Sequence, residues 1–326
     1  MNMFSHFLGN EQGKEYLARS LIGGSLPHAL LLTGQPGLGK RTLAGLIGCG
    51  ILCRGENPPC GECRSCHSAR KESNPDIIRK AGKGTARSFS ISQIREIKED
   101  ANLAPVSGDK KVYILENAQE MTVEAQNALL KILEEPPTGV YFILTADSAE
   151  HLLSTIRSRV VELPVREIGE GDCVAALRRE YPDLPEEELC RVVTLCRGNL
   201  GRGKAFLSDE VSRVGVTAFE GGVSALCSGD EYALLEAFST LEDGKTAALV
   251  TFELLSEAIS DAIRIKSGSV GGKQEQAVRL ASRFSRKKLL ALYDASVLFR
   301  EGVDRNANYT LLLTQMSSRL FSAVED

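Results

Sequence analysis

The fold is decided by the stretch Gly34-Gln35-Pro36-Gly37-Leu38-Gly39-Lys40, which follows the short apolar run Ala29–Thr33 and opens a helical pattern. It fits the phosphate-loop pattern G-x-x-x-x-G-K in the setting that this pattern requires, after a strand and at the start of a helix. The glycines allow backbone N–H groups to face a phosphate, and Lys40 would reach the outer phosphates. The stretch therefore predicts an α/β domain with a phosphate loop.

Further apolar runs in the first half of the chain predict a parallel sheet. They are rich in Val, Ile and Leu without polar alternation, which favours strands buried on both faces. Between two of them, apolar residues at helical spacing follow Thr122, a candidate N-cap, and end before Pro136-Pro137. This alternation predicts a doubly wound domain. The predicted strands are Ala29–Thr33, Val112–Leu115, Val140–Thr145 and Val160–Leu163.

Length and pattern set the expected number of domains. The chain has 326 residues, 43% of them hydrophobic and 25% charged, which is material for two or three domains. Strand patterns end near residue 165 and only helical patterns follow. We therefore expect an α/β domain over 1–165, a small helical unit over 166–210 that ends at Gly198-Asn199-Leu200-Gly201, and an all-helical domain over 211–326.

Charge and hydropathy exclude several classes of protein. A net charge of −4 argues against a chain that binds nucleic acid by its overall charge, so a DNA contact would have to be local or shared with basic partners. Lys110 and Lys111, before the second predicted strand, suit either such a contact or a solvated strand start. No secretory signal and no membrane span is predicted. We expect the cytoplasm, where thiols stay reduced.

Two residue types that ATP hydrolysis needs are missing. The residue after Lys40 should carry the hydroxyl that holds Mg²⁺, but it is Arg41, and Thr42 comes one place late, rotated by roughly 100° on a helix. The strand after Lys111 ends in Glu116 and Asn117, where active ATPases end in Asp-Glu, and an amide cannot act as a base. We expect little or no ATPase activity from the chain alone. The alternative is an unusual working ATPase in which Glu116 binds the metal.

Four cysteines predict a structural zinc site. Cys53, Cys60, Cys63 and Cys66 form a C-x₆-C-x₂-C-x₂-C pattern in one short segment, 53–66, which matches a closed tetrahedral site of four thiolates. No coordination position would remain open for water, so the expected role is structural. Zinc would stabilise such a loop by on the order of 10 kcal/mol. His67 is adjacent and is the alternative to one of the ligands.

A zinc segment inserted after a phosphate-loop helix resembles the AAA+ clamp-loader subunits of bacterial DNA polymerase III, gamma/tau and delta-prime. The stretches 127–137 and 153–159 closely match signatures of that family, and Asn306-Ala307-Asn308 followed by Leu311 and Leu312 resembles the last helix of its collar domain. The resemblance spans almost the whole chain. It implies an AAA+ domain, a helical lid and a helical collar, in a five-membered ring that opens a sliding clamp onto primer-template DNA.

The departures from that family resemble its non-motor branch, delta-prime. Besides Arg41 and Asn117, the lid position that holds an arginine in the motor subunits is Gly201 here, and Arg202 follows one place late. The implied partners are the gamma/tau and delta subunits, the sliding clamp and DNA. ATP or ADP is compatible with a weak site at the loop but is not required. Its residues would be Gly34, Gly37, Gly39, Lys40 and Thr42.

The resemblance also implies a role for Arg159. In the family, the arginine of a Ser-Arg-Cys motif projects into the ATP site of a neighbouring subunit, and this chain carries Ser158-Arg159-Val160. A guanidinium there stabilises charge on the transferred phosphoryl group. We therefore expect Arg159 to be a catalytic residue in trans, the alternative being a surface arginine paired with an acid. An active gamma/tau-type ATPase and a stand-alone zinc-dependent nucleic-acid binder remain the other functional hypotheses.

Overall fold

The structure is a computed structural model that forms two compact units. One consists of Met1–Cys173 with Asn199–Gly201, and the other of Val174–Gly198 with Arg202–Asp326. The division into three domains at 165 and 210 stays a prediction. The structure describes residues 3–82, 89–241, 245–268, 274–304 and 309–325, and Asn306–Asn308 lie outside them.

Strands and helices alternate up to Pro164, and only helices follow among the described residues. Short 3₁₀ helices lie at Met3–His6, Ala118–Glu120 and Ala149–His151. The elements up to Pro164 are α1 (Glu11–Ile22), β1 (Ala29–Thr33), α2 (Lys40–Ile51), α3 (Arg64–Arg70), β2 (Ile77–Lys80), α4 (Ile91–Ala101), β3 (Lys111–Leu115), α5 (Val123–Glu134), β4 (Val140–Ala146), α6 (Ser154–Arg157) and β5 (Val161–Pro164). The later helices are α7 (Glu170–Glu180), α8 (Glu186–Cys196), α9 (Leu200–Ser208), α10 (Glu210–Ser228), α11 (Glu231–Ser239), α12 (Lys245–Lys266), α13 (Glu275–Arg283), α14 (Arg286–Asp304) and α15 (Tyr309–Glu325).

The five strands form one parallel sheet in the order β2-β3-β4-β1-β5, which confirms the predicted parallel α/β class. Alternate residues of each inner strand pack on opposite faces. On β1, Leu31 joins a core with α4 and α5, whereas Leu30 and Leu32 join a core with α1 and α2. Burial on both faces explains why these strands read as continuous apolar runs. The phosphate loop follows β1, between β4 and β5.

The edge strand β2 was not predicted. Its four residues, Ile77–Lys80, are only half-buried, and two of them are charged, so neither an apolar run nor an alternating pattern marks it. It pairs in parallel with β3, with Arg79 opposite Ile114. This strand matters for the site because it carries Arg79 to the end of β3, where the acidic residue of the phosphate-loop mechanism is expected.

Lys111 is buried at the start of β3, so the interpretation of this residue as a solvated strand start is wrong, whereas a local DNA contact by Lys110 or Lys111 stays a prediction. Its side chain is 5% exposed, and its Nζ donates to the backbone oxygen of Asp100 at 2.9 Å and lies 3.3 Å from the Asp100 carboxylate. The hydroxyl of the buried Tyr113 donates to the same carboxylate. The hydrogen bond from Tyr113 is the largest cause of a lowered pKa at Asp100, and Lys111 adds to it while burial opposes it.

Replacing Asp100 with asparagine is expected to weaken the fold in a pH-dependent way. Because the pKa of Asp100 is lower in the folded state, its stabilisation is present above the unfolded pKa of about 3.9 and is lost as the pH falls through the folded value. Because the Asp100 side chain is 45% exposed and screened by solvent, we expect D100N to lose less than about 1 kcal/mol at pH 7 and still less at low pH. Urea unfolding across the acid range measures this. The exposed neighbour Glu99, replaced by glutamine, is the control, and equal pH profiles for both variants would refute the assignment.

The second unit is a helical assembly with an aromatic centre. Phe252 of α12 stacks on Phe299 of α14 with ring centroids 4.0 Å apart, and Phe238 of α11 lies 5.2 Å from Phe252. The apolar residues Phe252, Leu255, Ile259 and Ala262 on one face of α12 are all buried, whereas Leu235 of α11 is 41% exposed. No helix among the described residues is long and apolar enough to cross a bilayer.

Candidate functional site

Lys40 begins α2 but is bound by groups of its own chain. Its side chain is 8% exposed. The Nζ atom donates to the backbone oxygen of Gly34, to that of Gln35 at 3.1 Å, and to the carboxylate of Asp147 at 2.9 Å. Gly39 before it has a φ of 86°, which glycine tolerates without strain. The predicted loop geometry is present, and Asp147 provides the negative charge that Lys40 pairs with.

The segment 199–201 lies against the backbone of the phosphate loop. The Asn199 side chain donates to the oxygen of Pro36 at 2.8 Å, and the N–H of Gly201 donates to the oxygen of Gly37 at 3.1 Å. A Cβ atom at position 201 would lie 2.5 Å from that oxygen, so this position requires glycine. Asn199 and Gly201 of the predicted Gly-Asn-Leu-Gly motif thus lie beside the phosphate loop.

Arg202, the arginine that comes one place late, is bound within the second unit. Its guanidinium lies 2.7 Å from the Glu257 carboxylate and 5.5 Å from the ring centre of Phe206, and its side chain is 13% exposed. Arg197 pairs with the same carboxylate at 3.4 Å and with Asp261 at 2.9 Å. The charge of Arg202 is therefore neutralised by residues of its own helical unit.

Glu116, at the end of β3, is neutralised by two arginines. Its carboxylate lies 3.2 Å from Nε of Arg41 and 3.2 Å from Nη1 of Arg79. Asn117 has a left-handed backbone, with a φ of 55°, and its N–H donates to the hydroxyl of Thr145 at 3.0 Å. Thr42 is exposed on α2. A carboxylate held by two guanidinium groups does not fit the Mg²⁺ ligand that a phosphate-loop ATPase needs.

The four predicted cysteines come together in a geometry that suits zinc. Their Sγ atoms all lie within 4.8 Å of one another, with Cys60 and Cys66 3.8 Å apart and Cys53 and Cys63 4.0 Å apart. A tetrahedral zinc with Zn–S bonds of about 2.3 Å places its sulfur atoms about 3.8 Å apart. These four residues could therefore hold a metal ion. His67 is not one of them, and its Nδ1 lies 3.2 Å from Nη2 of Arg70.

Backbone N–H groups lower the pKa of Cys60 and favour the thiolate form at Cys63, whereas burial raises the pKa of Cys53 and Cys66. N–H groups of Gly55 and Cys60 donate to Cys53 Sγ at 3.3 and 3.4 Å, and that of Cys66 donates to Cys63 Sγ at 3.4 Å. Burial raises the pKa of Cys63, but backbone hydrogen bonds from Arg54 and Cys66 outweigh it, and the pKa falls to about 6. Such donors to ligand sulfur atoms support and orient a metal site.

Arg159 follows α6 and pairs with an acid of its own chain. Its Nη2 lies 2.5 Å from the Glu134 carboxylate, and its Nη1 donates to the Thr155 oxygen at 2.8 Å and to the Ser158 hydroxyl at 3.1 Å. The side chains of Arg159 and Glu134 are 33% and 46% exposed. The structure thus joins the signature stretches 127–137 and 153–159 through one ion pair. The role of Arg159 in trans stays a prediction.

The N-terminal half of the chain matches a family of DNA polymerase III subunits. Residues 9–168 match the family model described as "DNA polymerase III, delta subunit". The chain is 30% identical over 227 residues to DNA polymerase III subunit delta′ of Escherichia coli. The aligned region covers 69% of this chain and 68% of that protein. It is 38% identical over 145 residues to subunit delta′ of Haemophilus influenzae, 44% of each chain.

A gamma/tau subunit is also similar to this chain. That of Mycobacterium bovis is 34% identical over 166 residues, which is 50% of this chain and 28% of that protein. Except for the E. coli protein, the matches span less than two thirds of the length of these relatives. The match to the E. coli subunit runs through more than two thirds of both proteins. The chain therefore belongs to the delta′ family of DNA polymerase III subunits.

Proposed function

We propose that the chain is a non-motor AAA+ subunit of the DNA polymerase III clamp loader, which scaffolds the ring and supplies an arginine in trans for loading the sliding clamp onto primed DNA. The observation that carries the non-motor assignment is the pairing of Glu116 with Arg41 and Arg79. It supports a chain that depends on a neighbour for ATP hydrolysis. The proposed partners are gamma/tau, delta, the clamp and primer-template DNA, and the proposed compartment is the cytoplasm.

The requirements of phosphoryl transfer show which chemical groups this phosphate loop lacks. The reaction needs a metal that bridges the outer phosphates and a residue that orients the attacking nucleophile. Here Arg41 stands where the metal-binding hydroxyl belongs, and Asn117 offers an amide in place of a base. Lys40 would have to exchange Asp147 for a phosphate before a nucleotide could bind. Weak binding of ATP or ADP at Gly34–Thr42 is compatible with this arrangement, but turnover is not.

The geometry around Arg159 supports a role for this arginine outside its own subunit. A guanidinium has five N–H donors, and the contacts with Thr155, Ser158 and Glu134 occupy three of them. The remaining donors suit a phosphate oxygen. Because the ion pair with Glu134 is partly exposed, it holds the side chain only weakly, by about 1 kcal/mol or less. A phosphate of a nucleotide bound to a neighbouring subunit would replace Glu134 as the partner of Arg159 at a small cost in free energy.

The cysteine cluster supports a structural zinc. Four sulfur ligands complete a tetrahedron and leave no position for a substrate or a water. The metal would fix the segment 53–66, which runs from just after α2 into the first turn of α3. It would take no part in phosphoryl transfer, since the cysteines neither belong to the phosphate loop nor contact Glu116.

The purified chain is expected to hydrolyse ATP no faster than a Lys40→Ala variant, with or without primed DNA. The physical reason is that neither metal nor nucleophile can be positioned at Glu116 and Asn117. A coupled phosphate-release assay on the zinc-loaded chain measures this. Hydrolysis that K40A abolishes would favour the gamma/tau-type ATPase instead, and salt-sensitive DNA binding by the isolated chain would favour the nucleic-acid binder.

A further inference from the structure

The two arginines that pair with Glu116 lie on elements that are distant in sequence. Arg41 lies in the first turn of α2, and Arg79 lies on the edge strand β2. Both guanidinium groups also approach the Glu72 carboxylate, Arg79 at 3.7 Å and Arg41 at 3.8 Å. Two arginines and two glutamates thus form a cluster of zero formal charge, which we call the arginine cluster. Arg79 and Glu116 are its less exposed members, at 21% and 16%.

A glycine of α2 makes room for this cluster. A Cβ atom at Gly45 would lie 2.5 Å from Nη2 of Arg79 and 3.7 Å from its Cζ, and no other atom outside α2's own backbone and the adjoining residues lies within 4 Å. Gly45 has ordinary helical geometry, so its backbone gives no reason for glycine. Glycine inside a helix is less stable than alanine by about 1 kcal/mol. The space left at position 45 is therefore matched to one feature, the guanidinium of Arg79.

We propose that Arg41 and Arg79 are a built-in replacement for the divalent cation of a phosphate loop, so that Glu116 takes no Mg²⁺. A divalent ion at Glu116 would have to displace two guanidinium groups or enter beside their two positive charges, and both are unfavourable. This inference deepens the non-motor part of the proposed function, on which it rests, and it holds whether or not Arg159 acts on a neighbour.

A double-mutant cycle tests whether Arg79 is the reason for glycine at position 45. In the wild type, G45A forces the end of the Arg79 side chain to move away from Glu116, and this cost is expected to offset the gain in helix stability, so that the Tm of the zinc-loaded chain does not rise. In an R79A background the same change meets open space and is expected to raise the Tm by about 2 °C, because alanine favours the helix. The expected result is that G45A raises the Tm only in the R79A background. Equal shifts in both backgrounds would overturn the proposed pairing.

Metal binding tests the cation replacement itself, even if G45A fails to fold. Mn²⁺, which reports through its electron paramagnetic resonance signal, is titrated with the zinc-loaded wild-type chain, with and without ATP, and with an E116Q variant. We expect the signal of free Mn²⁺ to be no lower in the presence of the wild-type chain than in the presence of the E116Q variant. A roughly ten-fold tighter Mn²⁺ affinity in the wild type than in E116Q would show that Glu116 is a metal ligand and would overturn the proposal.

Discussion

Replacing Cys63 with serine is expected to abolish zinc binding and to unfold the segment 53–66. The wild-type chain should carry one zinc per molecule, because four sulfur atoms lie within 4.8 Å of one another and two of their distances, 3.8 and 4.0 Å, are close to the edge of a zinc tetrahedron. Since the binding energy of a structural zinc is also folding energy, the loss is on the order of 10 kcal/mol for the local structure. Metal content by atomic absorption measures the first effect, and limited proteolysis within 53–66 measures the second.

The matched control for this variant is Cys190→Ser. Cys190 is exposed on α8 and lies in the other unit, so its loss should leave both zinc content and proteolysis unchanged. The damage from C63S is expected to reach α3, because Cys63 is the N-cap of that helix and its sulfur accepts the N–H of Cys66. A wild-type chain purified without metal under reducing conditions, or a C63S chain that retains one zinc, would contradict the assignment.

Features that depend on neighbouring residues in sequence were predictable. The phosphate loop, the cysteine cluster and the helix that begins after Thr122 all depend on spacing over a few residues, and local geometry follows from such spacing. Thr122 does accept the N–H of Ala125 at 3.2 Å, and α5 ends at Glu134, before the two prolines. These elements were read correctly because no distant contact was needed to specify them.

Features that depend on the pairing of distant residues were not predictable. Asp147 meets Lys40 only because β4 lies beside β1 in the sheet, and Arg79 meets Glu116 only because β2 pairs with β3. No residue near Lys40 or Glu116 in the sequence indicates that Asp147 or Arg79 would be its partner. An acid directly after the strand that neighbours the phosphate loop was the available signal for Asp147. For Arg79 the signal was weaker, since β2 itself had no recognisable strand pattern.

The burial of individual residues was also not predictable where it depends on contacts between distant elements. Lys111 reads as a solvated residue because lysine is rarely buried without a partner. Its partner, Asp100, stands at the end of α4, and only the packing of α4 on the sheet brings the two together. Conversely, Leu235 follows the apolar spacing of α11 and yet is exposed. Periodicity indicates which face of a helix is apolar, but the neighbouring helices decide how much of that face is covered.

Replacing Arg159 with alanine is expected to leave ring assembly intact and to slow DNA-stimulated ATP hydrolysis at the one site that receives this arginine. Removal of an arginine finger costs roughly 10³-fold or more in rate, because the charge on the transferred phosphoryl group loses its counter-charge. The measurement is single-turnover hydrolysis by the ring reassembled with gamma/tau and delta, after gel filtration has shown full assembly. Arg157→Ala is the matched control, since this arginine is exposed two residues earlier.

Glu134→Gln separates a role in trans from a merely structural ion pair. The amide keeps the size of the side chain but lowers its hold on Arg159, whose contacts with Thr155 and Ser158 remain. If Arg159 serves a neighbouring phosphate, E134Q should preserve hydrolysis while R159A slows it. If Arg159 serves only Glu134, both variants should lower the Tm of the free chain by similar amounts, and the assembled ring should hydrolyse ATP at the wild-type rate with either. The second pattern would leave the chain a scaffold without a catalytic residue, because no other part of the proposed mechanism in trans comes from this subunit.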